Sequence, residues 1–199
     1  IKVISGVHAA TGGEVLLRGK PTAFKTPQNA REAGIETIYQ DLALADNLTI
    51  GENIFLGREP KAKKWGFLPI LDRKQMAKAA VKTMKTLDFH TDRLDSAVAG
   101  FSGGQRQTVA IGRAVYWDAS VLIMDEPTAA LGVPEQKKVL ELIQNLKARG
   151  HAIIFISHNL QDIFEVSDRI VVMRRGRLAG ERKIAETTHA EVVELMIAG

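Results

Sequence analysis

No cysteine occurs among the 199 residues, which excludes disulfide scaffolds, Cys-ligated zinc and thiol catalysis. Long hydrophobic runs are missing too. The longest uninterrupted apolar stretch is Ala152 to Ile156, far short of the ~20 residues that a membrane-spanning helix needs. The opening residues Ile1 to Ala10 have no basic stretch leading into an apolar core, so no signal peptide is expected and a cytosolic address fits. No internal repeat, low-complexity tract or sustained heptad pattern is visible, which argues against collagen and coiled coil. What remains is the balance of an ordinary globular protein, 45% hydrophobic and 25% charged. The length suits one domain, or one domain with a small subdomain. A net charge of +4 and an isoelectric point near 9.4 hint at nucleic acid, yet the 27 basic and 23 acidic residues are interspersed. The dense basic groups, Lys61, Lys63 and Lys64 and then Arg174, Arg175 and Arg177, form no stripe interleaved with aromatics. Solvated loops are the expectation there.

Turn residues and periodicity divide the chain. Glu14 to Arg18 lies between Gly13 and Gly19 and reads as a strand. A helix is expected from about Pro27 to Ala33, stopped by Gly34, and a strand over Ile35 to Tyr39. Within the mixed stretch Asp41 to Gly100 the best element is a helix from Arg73 to Leu87, with Met76, Ala80, Thr83, Met84 and Leu87 on one face. Gly57 to Pro69 reads as an edge loop. Regular alternation begins at Gly103: a helix to Tyr116, a buried strand Val121 to Met124, and a helix Pro134 to Ala148 that faces Val139, Leu142, Ile143 and Leu146 inward. Next come a second buried strand, Ala152 to Ile156, and a short helix near Leu160 to Val166. A hairpin around Arg175-Gly176 and a closing helix His189 to Ile197 complete the chain. Short apolar strands separated by helices predict a mostly parallel sheet covered on both faces.

Three places carry chemistry. The strand Val121 to Met124 ends in Asp125-Glu126-Pro127, setting two carboxylates at the carboxyl edge of a sheet, where α/β proteins place ligands. One can hold the water shell of Mg²⁺ and the next can polarise an attacking water; a polar strand end capping a turn is the plainer alternative. Gly100-Phe101-Ser102-Gly103-Gly104-Gln105 opens a helix, whose free N–H groups and positive end suit a phosphate. A glycine turn with Ser102 as N-cap accounts for it equally. Ile156-Ser157-His158-Asn159 follows a strand that shares an edge with Asp125 and Glu126 if the two run parallel.

Together these pieces resemble the ATP-binding subunit of ABC transporters, in the family's order. Gln40 corresponds to the Q-loop, and Phe101-Ser102-Gly103-Gly104-Gln105 to the signature, with Phe in place of the usual Leu. Asp125 and Glu126 resemble the Walker B aspartate and catalytic glutamate, and His158 the switch histidine. Within the family, Glu32 to Leu44, Asn53 to Glu59 and Ala129 to Gly132 are similar to carbohydrate importers of the ribose/xylose/fructose type.

The resemblance implies an α/β fold of the P-loop NTPase kind, a mostly parallel sheet with flanking helices plus a helical subdomain. The ATPase core would comprise 1–40 and 101–199, and the helical subdomain 41–100, including the exit from the Q-loop. ATP and Mg²⁺ are the implied cofactors. Glu126 and His158 would be catalytic; Gln40, Ser102, Gly103, Gly104, Gln105 and Asp125 would contact the nucleotide, with Gln40 and Asp125 also at the metal. Two subunits would face head to tail as a homodimer, each ATP reaching Ser102 to Gln105 of the partner. The segment Asp41 to Arg58 would touch membrane permease subunits, an external sugar-binding protein would act indirectly, and nucleic acid would play no part. The implied location is cytoplasmic, peripheral on the inner face of the membrane.

Departures from the family pattern matter. No Gly-x-x-x-x-Gly-Lys-Ser/Thr phosphate loop occurs. Gly13 to Pro21 has five residues between its glycines, a strand-like interior, and Pro21 where a metal-binding hydroxyl belongs. Ile1-Lys2-Val3-Ile4-Ser5-Gly6 instead resembles the tail of the helix after that loop. The chain is thus expected to start just past it, without the adenine-stacking aromatic, and to hydrolyse ATP poorly by itself. Gly132 stands where the family's D-loop has the Asp that helps couple the two sites. Two other readings compete with this one. A serine hydrolase would use Ser102, Asp125 (or Asp168) and His158, but the nucleophile elbow needs a strand before Ser102, which Asp95 to Ala99 does not offer. An ABC-like module acting on nucleic acid or ribosomes would carry a long coiled coil or basic arms.

Overall fold

A computed structural model describes residues 1–64 and 68–197. After a turn-rich opening, β1 (Val15–Leu17) and β2 (Lys20–Thr22) pair antiparallel. Both residues of their connection, Arg18 and Gly19, have positive φ, as a tight two-residue hairpin requires. The sequence showed only the first of these strands, because Pro21 disguises the second. In α1 (Pro27–Glu32), Thr26 caps the N-terminus by accepting from Asn29 N–H, and Pro27 sits in the first turn. Gly34, at φ +83, turns the chain into β3 (Ile35–Ile38).

Next comes α2 (Ile50–Phe55), inside the stretch whose sequence pattern is mixed. Its signal was present as Thr49-x-x-Glu52: the Thr49 hydroxyl accepts from Glu52 N–H and the Glu52 carboxylate accepts from Thr49 N–H. The expected loop over 57–69 is instead largely a hairpin, β4 (Lys61–Lys64) against β5 (Leu68–Leu71). Its connection, 65–67, lies outside the described residues. A lysine-rich strand lacks the apolar alternation that identifies strands from sequence. In α3 (Arg73–Thr86) Met76, Ala80, Thr83 and Met84 are buried, on the face the spacing predicted.

A short 3-10 turn, Val98–Gly100, leads into α4 (Gly103–Tyr116). There Gly112 permits close helix packing, since a Cβ at that position would lie 2.3 Å from Met84 Cε on α3. Then β6 (Val121–Asp125), α5 (Val133–Ala148), β7 (Ala152–Ile156) and α6 (Leu160–Val166) alternate. They are followed by the hairpin of β8 (Arg169–Arg174) and β9 (Arg177–Lys183), and by α7 (His189–Ile197).

The central sheet is parallel, in the order β3–β6–β7. Leu122, Ile123 and Met124 of its middle strand are fully buried, because strands covered on both faces read as continuous apolar runs. The main hydrophobic cluster runs from Leu122 and Met124 through Val139, Ile143 and Leu146 of α5 to Val109 and Ile111 of α4, Ile50 and Ile54 of α2, and Met84 of α3. The expectation that Ala152 to Ile156 is buried is corrected. Ala152 and Ile154 are exposed, Ile154 by 38%, because among the described residues β7 has a strand partner on one side only. Its other side opens on a groove of about 840 Å³ lined also by Ile4, Ile170, Val172 and Val192.

Candidate functional site

Parallel registration brings three loops to one edge. Ile38 lies opposite Met124 and Asp125 opposite Ile156, so Gln40, Glu126 and His158 all follow the carboxyl ends of adjacent strands. At that edge β6 and β7 stay joined beyond the ladder, Glu126 N–H donating to Ile156 C=O at 2.9 Å. Glu126 has φ +50, left-handed backbone that costs a non-glycine residue about 1 kcal/mol or more. Such a conformation persists where the surroundings over-determine it, and the turn is held again by Ala129 N–H donating to Glu126 C=O.

The strand end turns so that the Glu126 side chain meets His158. His158 Nδ1 lies 2.9 Å from Glu126 Oε1, with the imidazole 82% exposed and the carboxylate 20%. That hydrogen bond, and then the carboxylate's charge, hold the His158 imidazole above the ordinary histidine range. Asp125 is half-buried, and among the described residues no hydrogen-bond donor reaches its carboxylate. Gln40, two residues past the end of β3, is exposed.

Ser102 to Gln105 stand apart from this pair. Ser102 Oγ accepts from Gln105 N–H at 3.4 Å, and Gln105 Oε1 accepts from Ser102 N–H at 2.9 Å, a capping box that starts α4. A Cβ on Gly104 would lie 2.9 Å from Glu135 Cβ, so this turn packs against the start of α5 rather than against His158. The hydrolase arrangement finds no support in the geometry. The segment before Ser102 is a 3-10 turn, and His158 engages Glu126, not Asp125.

Two clusters escaped the sequence reading. Behind the Glu126–His158 pair the buried Asp162 carboxylate accepts from Thr128, Gln136 and Asn159. Their sequence separation, up to 34 residues, hides the contact from any local pattern. Beside β3, a cavity of about 340 Å³ is lined by Arg31, Glu36, Tyr39, Leu56, Arg58 and Arg113. There Arg58 donates to Glu36 at 3.0 Å and lies over the Trp117 ring. Burial pulls the Arg113 guanidinium below the usual arginine range, with Glu36 opposing.

The ABC transporter family model matches residues 1–129. The chain is 45% identical over 196 residues to the xylose/arabinose import ATP-binding protein XylG of Sulfolobus acidocaldarius, covering 98% of this chain and 76% of that protein. It is 49% identical over 182 residues to the fructose import ATP-binding protein FrcA of Rhizobium meliloti, covering 89% and 69% respectively. To the ribose import ATP-binding protein RbsA of Chromobacterium violaceum it is 42% identical over 197 residues, covering 99% of this chain but 38% of that one. A nucleotide-free ATP-binding cassette from an ABC transporter superposes with TM-score 0.80 at 25% identity, covering 100% of this chain and 82% of that one. The ADP conformation of another cassette gives 0.79 at 26% identity, covering 100% and 82%.

Proposed function

Because this chain belongs to the ABC transporter family of ATP-binding proteins, we propose that it supplies the ATPase site of a membrane sugar importer and that Glu126 and His158 are its catalytic pair. The observation that carries this reading is the 2.9 Å contact between those two side chains at the carboxyl edge of a parallel sheet. A carboxylate there takes the proton of a water attacking the terminal phosphoryl group. The imidazole, whose proton the same carboxylate favours, faces the negative charge that develops on that group.

Asp125 and Gln40 fit a Mg²⁺ site. Mg²⁺ takes one or two protein oxygens and keeps waters and phosphates for the rest; the Asp125 carboxylate has no protein donor among the described residues, and no group of three or more acidic, His or Cys ligands forms among them. Bound there, the metal would neutralise charge on the phosphates. Ser102, Gly103, Gly104 and Gln105 open a helix N-terminus at which Ser102 and Gly103 are exposed and Gly104 is buried, and whose capping bonds do not involve Glu126. It contributes to the nucleotide of a second copy, head to tail, as an anion site. Residues 1–40 and 101–199 form the ATPase core and 41–100 the helical subdomain. Because the 199 residues contain no phosphate-cradling Gly-x-x-x-x-Gly-Lys-Ser/Thr, this stretch by itself binds ATP weakly.

The permease contacts the segment Asp41 to Arg58, beside the arginine-lined cavity at Tyr39, Leu56 and Arg58, and places the subunit on the inner face of the membrane. No described helix is long and apolar enough to cross a membrane. A sugar-binding protein outside delivers the cargo to the permease. The test is reconstitution of the transporter in vesicles with its permease and binding protein. Phosphate release that rises with a pentose or hexose on the binding-protein side supports the reading. Release that ignores sugar but responds to nucleic acid or ribosomes overturns it.

A further inference from the structure

Asp162 lies in the first turn of α6, where a carboxylate ordinarily stays in water and reaches back to the cap. Here it is 2% exposed and points across the molecule. Its Oδ2 accepts from Thr128 Oγ1 at 2.7 Å and from Gln136 Nε2 at 2.9 Å. Its Oδ1 accepts from Gln136 Nε2 at 2.7 Å and from Asn159 Nδ2 at 3.0 Å. Every donor is neutral, and no Lys, Arg or His forms an ion pair with Asp162 among the described residues. A carboxylate buried without a counter-charge is costly unless hydrogen bonds satisfy it. An apolar side chain could fill the same space but could not answer three separate donors.

Those donors come from three elements. Thr128 is two residues past Glu126, in the turn whose left-handed residues are Glu126 and Ala130. Asn159 is the neighbour of His158 and the cap of α6. Gln136 is in the first turn of α5. The carboxylate therefore ties the strained turn bearing Glu126 to the loop bearing His158, and ties both to a 16-residue helix whose Val139, Ile143 and Leu146 belong to the main core. We propose that Asp162 is a positioning residue, a clamp that fixes the turn of Glu126 against the loop of His158 and so sets the geometry of that pair. Its consequence for turnover rests on the ATPase reading above; the clamp itself does not.

The test uses Asp162→Asn, which keeps the shape but turns one acceptor into a donor facing the Gln136 amide. Beside it stands the double variant Asp162→Asn with Gln136→Glu, which reverses the polarity and restores an amide–carboxylate pair with the same net charge. Residue-resolved hydrogen exchange on the 199-residue chain is the first measurement. In Asp162→Asn the amides of Glu126, Leu131 and Asn159 should exchange at least about tenfold faster while Ile123 holds, and the double variant should restore protection. Exchange at Glu126 and Asn159 within about twofold of the parent overturns the clamp, as does a uniform rise across the sheet that the double variant does not reverse. If Asp162→Asn fails to fold, Thr128→Val, which removes one donor without changing shape, should still speed exchange at Glu126; no change there overturns the clamp.

The second measurement is turnover by the assembled transporter. Asp162→Asn should lower kcat at least about tenfold with the KM for ATP nearly unchanged, since misplacing a catalytic group by about an ångström can cost about 100-fold. An unchanged kcat in Asp162→Asn, where Glu126→Gln abolishes turnover, sinks the positioning role alone. Where Glu126→Gln also retains turnover, the catalytic assignment of Glu126 has failed while the clamp is still judged by the exchange data alone.

Discussion

At the scale of single residues, the site turns on one exposed imidazole and one half-buried carboxylate. Their hydrogen bond raises the His158 pKa, and the direction of the pH effect follows. The folded-state imidazole binds its proton more tightly than the unfolded one, so the contact stabilises the fold fully below the ordinary value of about 6.5 and is lost as pH climbs through the raised value. An NMR titration should find the His158 ring titrating above the ordinary histidine value of about 6.5, and Glu126→Gln should return it toward that value. Equal midpoints before and after that substitution would contradict the contact. The pair was legible from sequence because Glu126 and His158 follow the ends of apolar strands within two residues, and parallel pairing brings those ends to one edge. Asp162 was not legible, because its three partners are joined by folding and by no local motif.

At the scale of elements, the loop after Gln40 is held from two sides. Asn53 of α2 is fully buried; its Oδ1 accepts from Ala45 N–H, and its amide donates to the carbonyls of Ala45, Leu48 and Thr49. From α4, Arg113 donates to Ala43 C=O and Arg106 pairs with Asp46. Truncating Asn53 would remove its four side-chain bonds and strand the Ala45 N–H, which costs about 1–3 kcal/mol when unsatisfied, while the carbonyls of Ala45, Leu48 and Thr49 keep their backbone donors. Asn53→Ala should therefore lower stability by roughly 1–3 kcal/mol in denaturant unfolding; a loss below about 0.5 kcal/mol would contradict this account of the loop. The long amphipathic helices were readable because period 3.6 persists over several turns, as Met76, Ala80, Thr83 and Met84 show in α3. Six-residue α2 was too short for that signal and announced itself only through Thr49 and Glu52. The strands Lys20–Thr22 and Lys61–Lys64 carry proline or lysine where strands usually carry apolar residues, and their pairing is decided by the hairpin partner.

At the scale of the molecule, the parallel sheet does one thing for function: it delivers Gln40, Asp125, Glu126 and His158 to a common edge while leaving Ser102 to Gln105 on a separate helix start. On the proposed reading the nucleotide lies between two copies, each supplying one half of the site. The most direct measurement is phosphate release by the assembled transporter carrying Glu126→Gln, read beside retention of radiolabelled ATP. Loss of a general base is expected to slow hydrolysis by about 100-fold or more, with ATP still held by the paired subunits. Hydrolysis within about twofold of the parent would show that Glu126 does not activate the attacking water.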